Sequence, residues 1–148
     1  MNSNQKKYII NKYYSPNLPK KFSLHLFEIA NCSMDVSDGL ITDLNKLINK
    51  QKLGYLIDID KIPISKHLKQ LIKYKKLKKL DYLFNGDDYQ ILFTASKSKR
   101  KYIKTICSKM NQKISIIGQI NTKSKNYLLD NRRIPIKYLK YQGYSHIF

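Results

Sequence analysis

The chain has 148 residues, of which 42% are hydrophobic, and its 29 basic and 10 acidic side chains give a formal net charge of +19. This length fits one domain and leaves no room for a second full one, and the apolar content is typical of a folded protein rather than a disordered one. The bases are mostly lysine and accompany abundant isoleucine, asparagine and tyrosine, a bias that an AT-rich genome produces without selection for an acidic partner.

The sequence shows no signal for export or membrane insertion. No apolar run approaches the roughly 20 residues that span a bilayer, and the start, MNSNQKKYII, lacks the apolar segment and cleavage site of a signal peptide. Cys32 and Cys107 stand far apart, without a CxxC pair or a histidine cluster. We therefore expect a cytoplasmic protein with free thiols and no membrane partner.

The first third of the chain predicts two helices, a strand and a third helix. Residues 5–14 favour a short helix, and SPNLPK after them predicts a turn, because its prolines cannot continue a helix. Residues 21–30 carry apolar side chains at helical spacing, which predicts a second helix packed on a sheet. A strand is expected at 32–36, followed by a helix with one apolar face at 39–50.

The rest of the chain alternates between strand and helix patterns. Strands are expected at 54–60, 89–95 and 114–120, and helical segments at 63–74, 78–84 and 97–110. The segment 126–141 predicts a hairpin turning at Asp130-Asn131, before a loose tail. This alternation predicts an α/β domain, or a two-layer α+β one.

Four of the ten acidic residues fall in two glycine-containing segments, DVSDG (35–39) and NGDDY (85–89). In a strand, Asp35 and Ser37 project to the same side, and the turn into the next helix brings Asp38 round towards them. Carboxylate and hydroxyl oxygens beside a helix N-terminus suit Mg²⁺ and a nucleotide phosphate. The first segment is therefore a candidate metal and phosphate site.

Each segment also has a purely structural explanation. Ser37 or Asp38 could simply cap the helix that follows, as serine and aspartate often do. In the second segment, Asn85-Gly86 could supply the positive φ of a turn that enters a strand. Neither segment is specific when it stands alone.

Together and in this order, MDVSDGLITDL, LIDIDKIPIS, NGDDYQILFT and the closing GYSHIF resemble the C-terminal half of the thiamine-monophosphate kinase family. That family belongs to a superfamily with aminoimidazole-ribonucleotide synthetase. The SDGL element is common to the superfamily, whereas its pairing with the second segment is typical of the thiamine enzyme. The resemblance implies a mixed sheet with helices packed on it over residues 20–148, after a lead-in helix and proline-containing turn at 1–19.

The resemblance also implies an activity and a set of site residues. The family transfers the γ-phosphoryl group of ATP to thiamine monophosphate in a Mg²⁺-dependent reaction that yields thiamine diphosphate. Asp35 and Asp38 match Mg²⁺ ligands, and Ser37 matches a residue that contacts ATP. Asp87 takes the place of a substrate-binding glutamate, and Tyr144 matches an aromatic position against the substrate. No residue is assigned beyond metal and substrate positioning, which are the main contributions to phosphoryl transfer.

The sequence departs from the family pattern in length and at two positions of the second segment. The N-terminal ATP-binding domain, which supplies most metal ligands and the dimer-forming sheet in the family, has no counterpart in these 148 residues. We therefore expect a separate N-terminal half or a homodimer as partner, and an apolar surface where that partner would pack. An interrupted gene, a split enzyme and a decayed remnant all remain open. Asn85 stands where the family usually has glycine, and Asp87 is one methylene shorter than the usual glutamate.

Two other functions compete with the kinase. A noncatalytic remnant could bind thiamine phosphates or regulate an intact enzyme. A basic nucleic-acid-binding module could use residues 66–80, which contain seven lysines. Apolar residues at helical spacing in that segment favour a core-facing stripe with the lysines on its solvated back.

Overall fold

The computed structural model describes residues 3–48 and 51–136. Helix α1 (Ser3–Tyr14) confirms the predicted first helix, and a proline-containing turn follows it. The second predicted helix is wrong as a continuous element, because it forms two single turns, α2 (Lys20–Ser23) and α3 (Leu26–Ile29). The Ser23 hydroxyl donates to the Lys20 carbonyl at 2.7 Å, a local bond that competes with continuation of the helix.

The elements that follow confirm the predicted alternation, with some shorter than expected. They are β1 (Cys32–Val36), α4 (Leu40–Leu47), β2 (Gly54–Asp58), α5 (Lys66–Lys75), β3 (Gln90–Thr94), α6 (Arg100–Lys109), β4 (Gly118–Asn121) and β5 (Tyr127–Leu129). The strand expected at 114–120 begins only at Gly118. The predicted turn at Asp130 is confirmed, since its carboxylate accepts from the backbone N–H groups of Arg132 and Ile134.

The strands form two sheets rather than one continuous sheet. Strands β1 and β3 pair antiparallel, with Met34 opposite Leu92. Strand β2 lies between β4, to which it is antiparallel, and β5, to which it is parallel. The mixed sheet with helices packed around it confirms the expected α/β class, in its two-layer α+β form.

Two apolar clusters hold these sheets and helices together. The larger cluster joins the apolar face of α4 to β2 and β5, and it buries Ile41, Leu44 and Tyr55 almost completely. The smaller cluster packs α6 and the two short helical turns against β3. Burial of each such side chain contributes roughly 1.5–3 kcal/mol, so β1, β3 and α4 are held firmly around the acidic segments.

Helices α1 and α5 form a peripheral pair. The rings of Tyr8 and His67 stack with centroids 3.9 Å apart, and Gln5 donates to Gln70 at 3.0 Å. Ser65 caps α5 by accepting from the Leu68 N–H. The α5 lysines are exposed while Leu68, Leu71 and Ile72 are partly buried, which agrees with the predicted core-facing stripe and solvated basic back.

Large apolar side chains are exposed along the N-terminal part of the chain. Phe27 is 83% exposed and Tyr14 is 78% exposed, and the others are Ile9, Ile10, Tyr13, Leu18 and Leu24. Such a concentration is typical of a surface that a partner covers. The described residues contain no helix with the length and apolar character needed to cross a bilayer. Cys32 and Cys107 are free thiols, as expected.

Candidate functional site

The two acidic segments lie directly against each other. Pairing of β1 with β3 sets Val36 opposite Gln90, and the contact continues beyond the strands into both loops. The Tyr89 N–H donates to the Val36 carbonyl at 2.8 Å, and the Asp87 N–H donates to the Ser37 carbonyl at 2.9 Å. Segments some 50 positions apart in the chain therefore form one loop cluster.

Gly86 is required at this junction because a side chain there would collide with the backbone of the first segment. Its φ is not positive, so its backbone conformation does not require glycine. A Cβ at Gly86 would lie 1.9 Å from the Ser37 carbonyl oxygen, a distance that no pair of such atoms can adopt. The prediction that Asn85-Gly86 supplies a positive φ is wrong, since the positive φ angles are 64° at Asp87 and 49° at Tyr89. Left-handed backbone at these two residues is uncommon and directs the second segment back towards the first.

Gly39 makes the equivalent contact from the first segment. It is the N-cap residue of α4, with a φ of 115°, and no side chain caps the helix there. A Cβ at this position would lie 2.6 Å from the Phe84 carbonyl group. The explanation of Ser37 or Asp38 as ordinary helix caps is therefore wrong, which leaves their side chains available for other contacts.

Asp43 holds the backbone of the first segment in place, although the sequence motifs do not identify it as a site residue. It lies on α4 and is completely buried. One of its carboxylate oxygens, Oδ2, accepts from the backbone N–H groups of Ser37 and Asp38, each at 2.9 Å. The signal that could have found it is an acidic residue between Ile41 and Leu44 on an otherwise apolar helix face.

Lys46 neutralises the carboxylates around this loop. Its ammonium group contacts Asp38 Oδ2, and it lies 3.1 Å from Asp43 Oδ1. The hydrogen bond to Asp38 is the main cause that raises the pKa of Lys46 above its ordinary value; burial opposes it, and the contacts with Asp43 add to the increase. Asp38 therefore has a partner within the chain itself.

Asp35 faces a different environment on the same strand. It is exposed and lines a shallow cavity of about 200 Å³ together with Leu18, Pro19, Lys20, Ser23, Tyr89 and Ile91. Tyr89 donates to Asp87 at 3.2 Å, and this bond to the carboxylate raises the pKa of the Tyr89 hydroxyl. Much of the surface of Asp88 is exposed, but its carboxyl group is partly buried by surrounding atoms. This burial raises the pKa of Asp88, and the negative charge of Asp87 raises it further.

The structure thus brings Ser37, Asp38 and Asp87 into one loop cluster, with Asp35 two positions before Ser37 on β1 and facing the cavity. Tyr144 lies outside the described residues. Within residues 3–48 and 51–136, no three Asp, Glu, His or Cys side chains converge closely enough to hold a metal ion. The carboxylate and hydroxyl oxygens of these segments are nevertheless of the type that Mg²⁺ prefers.

Comparison with known proteins identifies the family. Residues 18–131 match the family described as AIR synthase related protein, C-terminal domain. The chain belongs to this family. The superfamily expected from the SDGL element is thereby confirmed, and the mixed-sheet fold agrees with it.

The family's curated relatives include thiamine-monophosphate kinases of about twice this length. The enzyme of Buchnera aphidicola subsp. Acyrthosiphon pisum is 34% identical over 147 residues, which cover 98% of this chain and 44% of the relative. The enzyme of Aquifex aeolicus is 35% identical over 92 residues, which cover 62% of this chain and 30% of the relative. The chain therefore spans less than half the length of these kinases.

Solved structures agree with this assignment. The structure described as AaThiL complexed with AMPPCP and TMP has a TM-score of 0.78 and 25% identity, with 99% of this chain and 43% of that chain covered. The thiamine-monophosphate kinase of Stenotrophomonas maltophilia K279a has a TM-score of 0.77 over 86% of this chain and 40% of that one. At 24% identity, the latter shows the fold alone.

Proposed function

We propose that this chain supplies the C-terminal half of a Mg²⁺-dependent thiamine-monophosphate kinase. The assembled enzyme would transfer the γ-phosphoryl group of ATP to thiamine monophosphate, giving thiamine diphosphate and ADP, in the cytoplasm. In this proposal residues 1–19 lead into the domain formed by residues 20–148. The N-terminal half of these kinases has no counterpart among the 148 residues, and the exposed apolar residues around α1 and α3 provide a surface on which such a half can pack.

The observation that carries the proposal is the backbone junction between the two acidic segments. The Asp87 backbone N–H donates to the Ser37 carbonyl at 2.9 Å, and the backbones at Gly86 and Ser37 lie too close to admit a side chain at position 86. A metal-binding segment and a substrate-binding segment in such contact can present two phosphate groups to one another. The kinase relatives and the AaThiL complex with AMPPCP, an ATP analogue, and TMP support this interpretation.

The roles proposed for individual residues follow their positions. Asp35 and Asp38 would share Mg²⁺ ions with carboxylates of the other half, and Ser37 would contact ATP between them. Asp87 and Tyr144 would contact thiamine monophosphate. Two phosphates repel each other as they approach, so the metal ions neutralise charge while the protein aligns the attacking and leaving oxygens.

The direct test is release of ADP from ATP and Mg²⁺ by this chain, alone and mixed with a separately produced N-terminal half. We expect turnover only in the mixture and only with thiamine monophosphate, because the described residues do not complete a metal site. Asp35→Asn should lower kcat at least roughly 100-fold, since it removes the charge of a metal ligand. Asp81→Asn, at an exposed aspartate outside the site, should leave kcat unchanged.

Other outcomes would favour other functions. A folded mixture without turnover that still binds thiamine monophosphate in calorimetry would favour the noncatalytic remnant. A mixture with neither turnover nor binding would contradict the proposal as a whole. Equal loss of activity in Asp35→Asn and Asp81→Asn would contradict the role given to Asp35.

A second prediction concerns the shorter acid of the second segment. Asp87→Glu in the assembled enzyme is expected to lower the KM for thiamine monophosphate by about threefold to tenfold, because the added methylene restores the reach of the usual glutamate. Asp87→Asn is the matched control, which keeps the length and removes the charge. An unchanged or higher KM in Asp87→Glu would show that the aspartate is already adapted to this site.

A further inference from the structure

Asp87 and Tyr89 have a backbone conformation that is uncommon for residues with a side chain. Their φ angles are 64° and 49°, in the left-handed region, where a bulky aromatic residue is an outlier that its surroundings must hold in place. Hydrogen bonds to the first segment hold both residues, since their backbone N–H groups donate to the carbonyls of Ser37 and Val36. The shape of the second segment therefore depends on its contact with the end of β1.

Gln90 fixes the same loop from another side. Its side-chain amide donates to the carbonyl of Asn17 at 3.3 Å and to the carbonyl of Asp88 at 3.2 Å. The loop is thus tied both to β1 and to the proline-containing turn before α2. The side chain of Tyr89 consequently extends from a backbone with little freedom to move.

This backbone brings the side chains of Tyr89 and Asp87 together. The Tyr89 hydroxyl donates to Asp87 Oδ1 at 3.2 Å, and Tyr89 also lines the shallow cavity beside Asp35 and Ile91. One side chain therefore connects the cavity with the carboxylate. Asp87 is exposed, and an exposed carboxylate without such a bond exchanges among several staggered rotamers.

We propose that Tyr89 is a positioning residue that holds the Asp87 carboxylate in one orientation for the substrate. The inference deepens the proposed function, on which the role of Asp87 in substrate binding rests. A carboxylate that already has its binding orientation loses less conformational entropy when a ligand binds. The bond to Asp87 raises the pKa of the Tyr89 hydroxyl, so the hydroxyl keeps its proton and remains a donor at neutral pH.

The variant that isolates this bond is Tyr89→Phe. It keeps the aromatic ring that lines the cavity and removes only the donor. Tyr102→Phe is the matched control, because the Tyr102 hydroxyl also donates to a carboxylate, Glu28 Oε2 at 2.5 Å, and its side chain is also partly exposed. Tyr102 lies on α6, outside both acidic segments.

The first experiment uses the full chain without any ligand or metal. The three-bond couplings between Hα and the two Hβ protons of Asp87, measured by NMR, report the rotamer about its Cα–Cβ bond. We expect one dominant rotamer in the natural chain and in Tyr102→Phe, and averaged couplings in Tyr89→Phe. Unchanged amide chemical shifts along β1 establish that each variant keeps the fold around the loop.

The second experiment measures steady-state kinetics of the assembled enzyme. Tyr89→Phe is expected to raise the KM for thiamine monophosphate by about threefold to tenfold, with kcat and the KM for ATP changed less than about twofold. The increase should vanish between Asp87→Ala and Asp87→Ala/Tyr89→Phe, because the acceptor is already absent. A purely structural role of Tyr89 would instead lower kcat in both backgrounds.

The two experiments separate this inference from the kinase proposal. A single Asp87 rotamer that persists in Tyr89→Phe would overturn the inference, and so would averaged couplings in the natural chain. Averaged couplings in Tyr89→Phe with an unchanged KM would overturn the contribution to substrate binding. Absence of turnover in the natural mixture would contradict the kinase proposal, whereas the couplings, recorded without substrate, still decide whether Tyr89 positions Asp87.

Discussion

Gly86→Ala is expected to lower the free energy of unfolding by about 3 kcal/mol or more, which is a large effect for one methyl group. The new Cβ would lie 1.9 Å from the Ser37 carbonyl oxygen. Because that atom belongs to the backbone, it cannot turn aside as a flexible side chain would, and the two acidic segments would have to separate. Urea denaturation of the full chain, followed by circular dichroism, measures the change.

The neighbouring residue provides the control for this variant. Asn85 is exposed, so Asn85→Ala should change stability by no more than about 0.5 kcal/mol. In the assembled enzyme, Gly86→Ala should also reduce turnover under conditions where the chain remains folded, because the Asp87 contact with Ser37 is broken. If Gly86→Ala lowered the free energy of unfolding by less than about 1 kcal/mol, the backbone at the junction would adapt easily and would not fix the two acidic segments relative to each other.

The second large effect is expected at Asp43. Asp43→Ala should lower the free energy of unfolding by about 3 kcal/mol, because it leaves the N–H groups of Ser37 and Asp38 without their acceptor. Asp43→Asn should cost less, since the amide oxygen can still accept from both N–H groups while the contact with Lys46 is lost. Thermal or urea unfolding of the three proteins measures the difference.

Asp130 offers a matched control for Asp43. Its carboxylate also accepts from two backbone N–H groups, those of Arg132 and Ile134, but it lies in a partly exposed turn where water can replace it. Asp130→Ala should therefore cost only about 1 kcal/mol. If Asp43→Ala lowered the free energy of unfolding no more than Asp130→Ala, burial of the Asp43 carboxylate would not increase its contribution to stability.

Most of the fold could be predicted from local patterns. The strand, turn and helix around MDVSDGL follow from β-forming residues, a glycine and apolar residues at helical spacing, and the structure places β1 and α4 there. The SDGL element also predicted the superfamily that the comparison confirms. The prediction failed at residues 21–30, where two separate helical turns stand in place of the continuous helix that the apolar spacing predicted.

The order of elements, the superfamily and the residues proposed for the site could all be predicted from the sequence, because each depends on short motifs of residues that are close together in the chain. Only the tertiary structure revealed why Gly86 is needed, since the atom it avoids belongs to a segment some 50 positions away. It also revealed the roles of Asp43 and Lys46. The sequence marks Asp43 only as an acid on an apolar helix face, because the groups that it binds depend on how α4 packs over the loop at the end of β1.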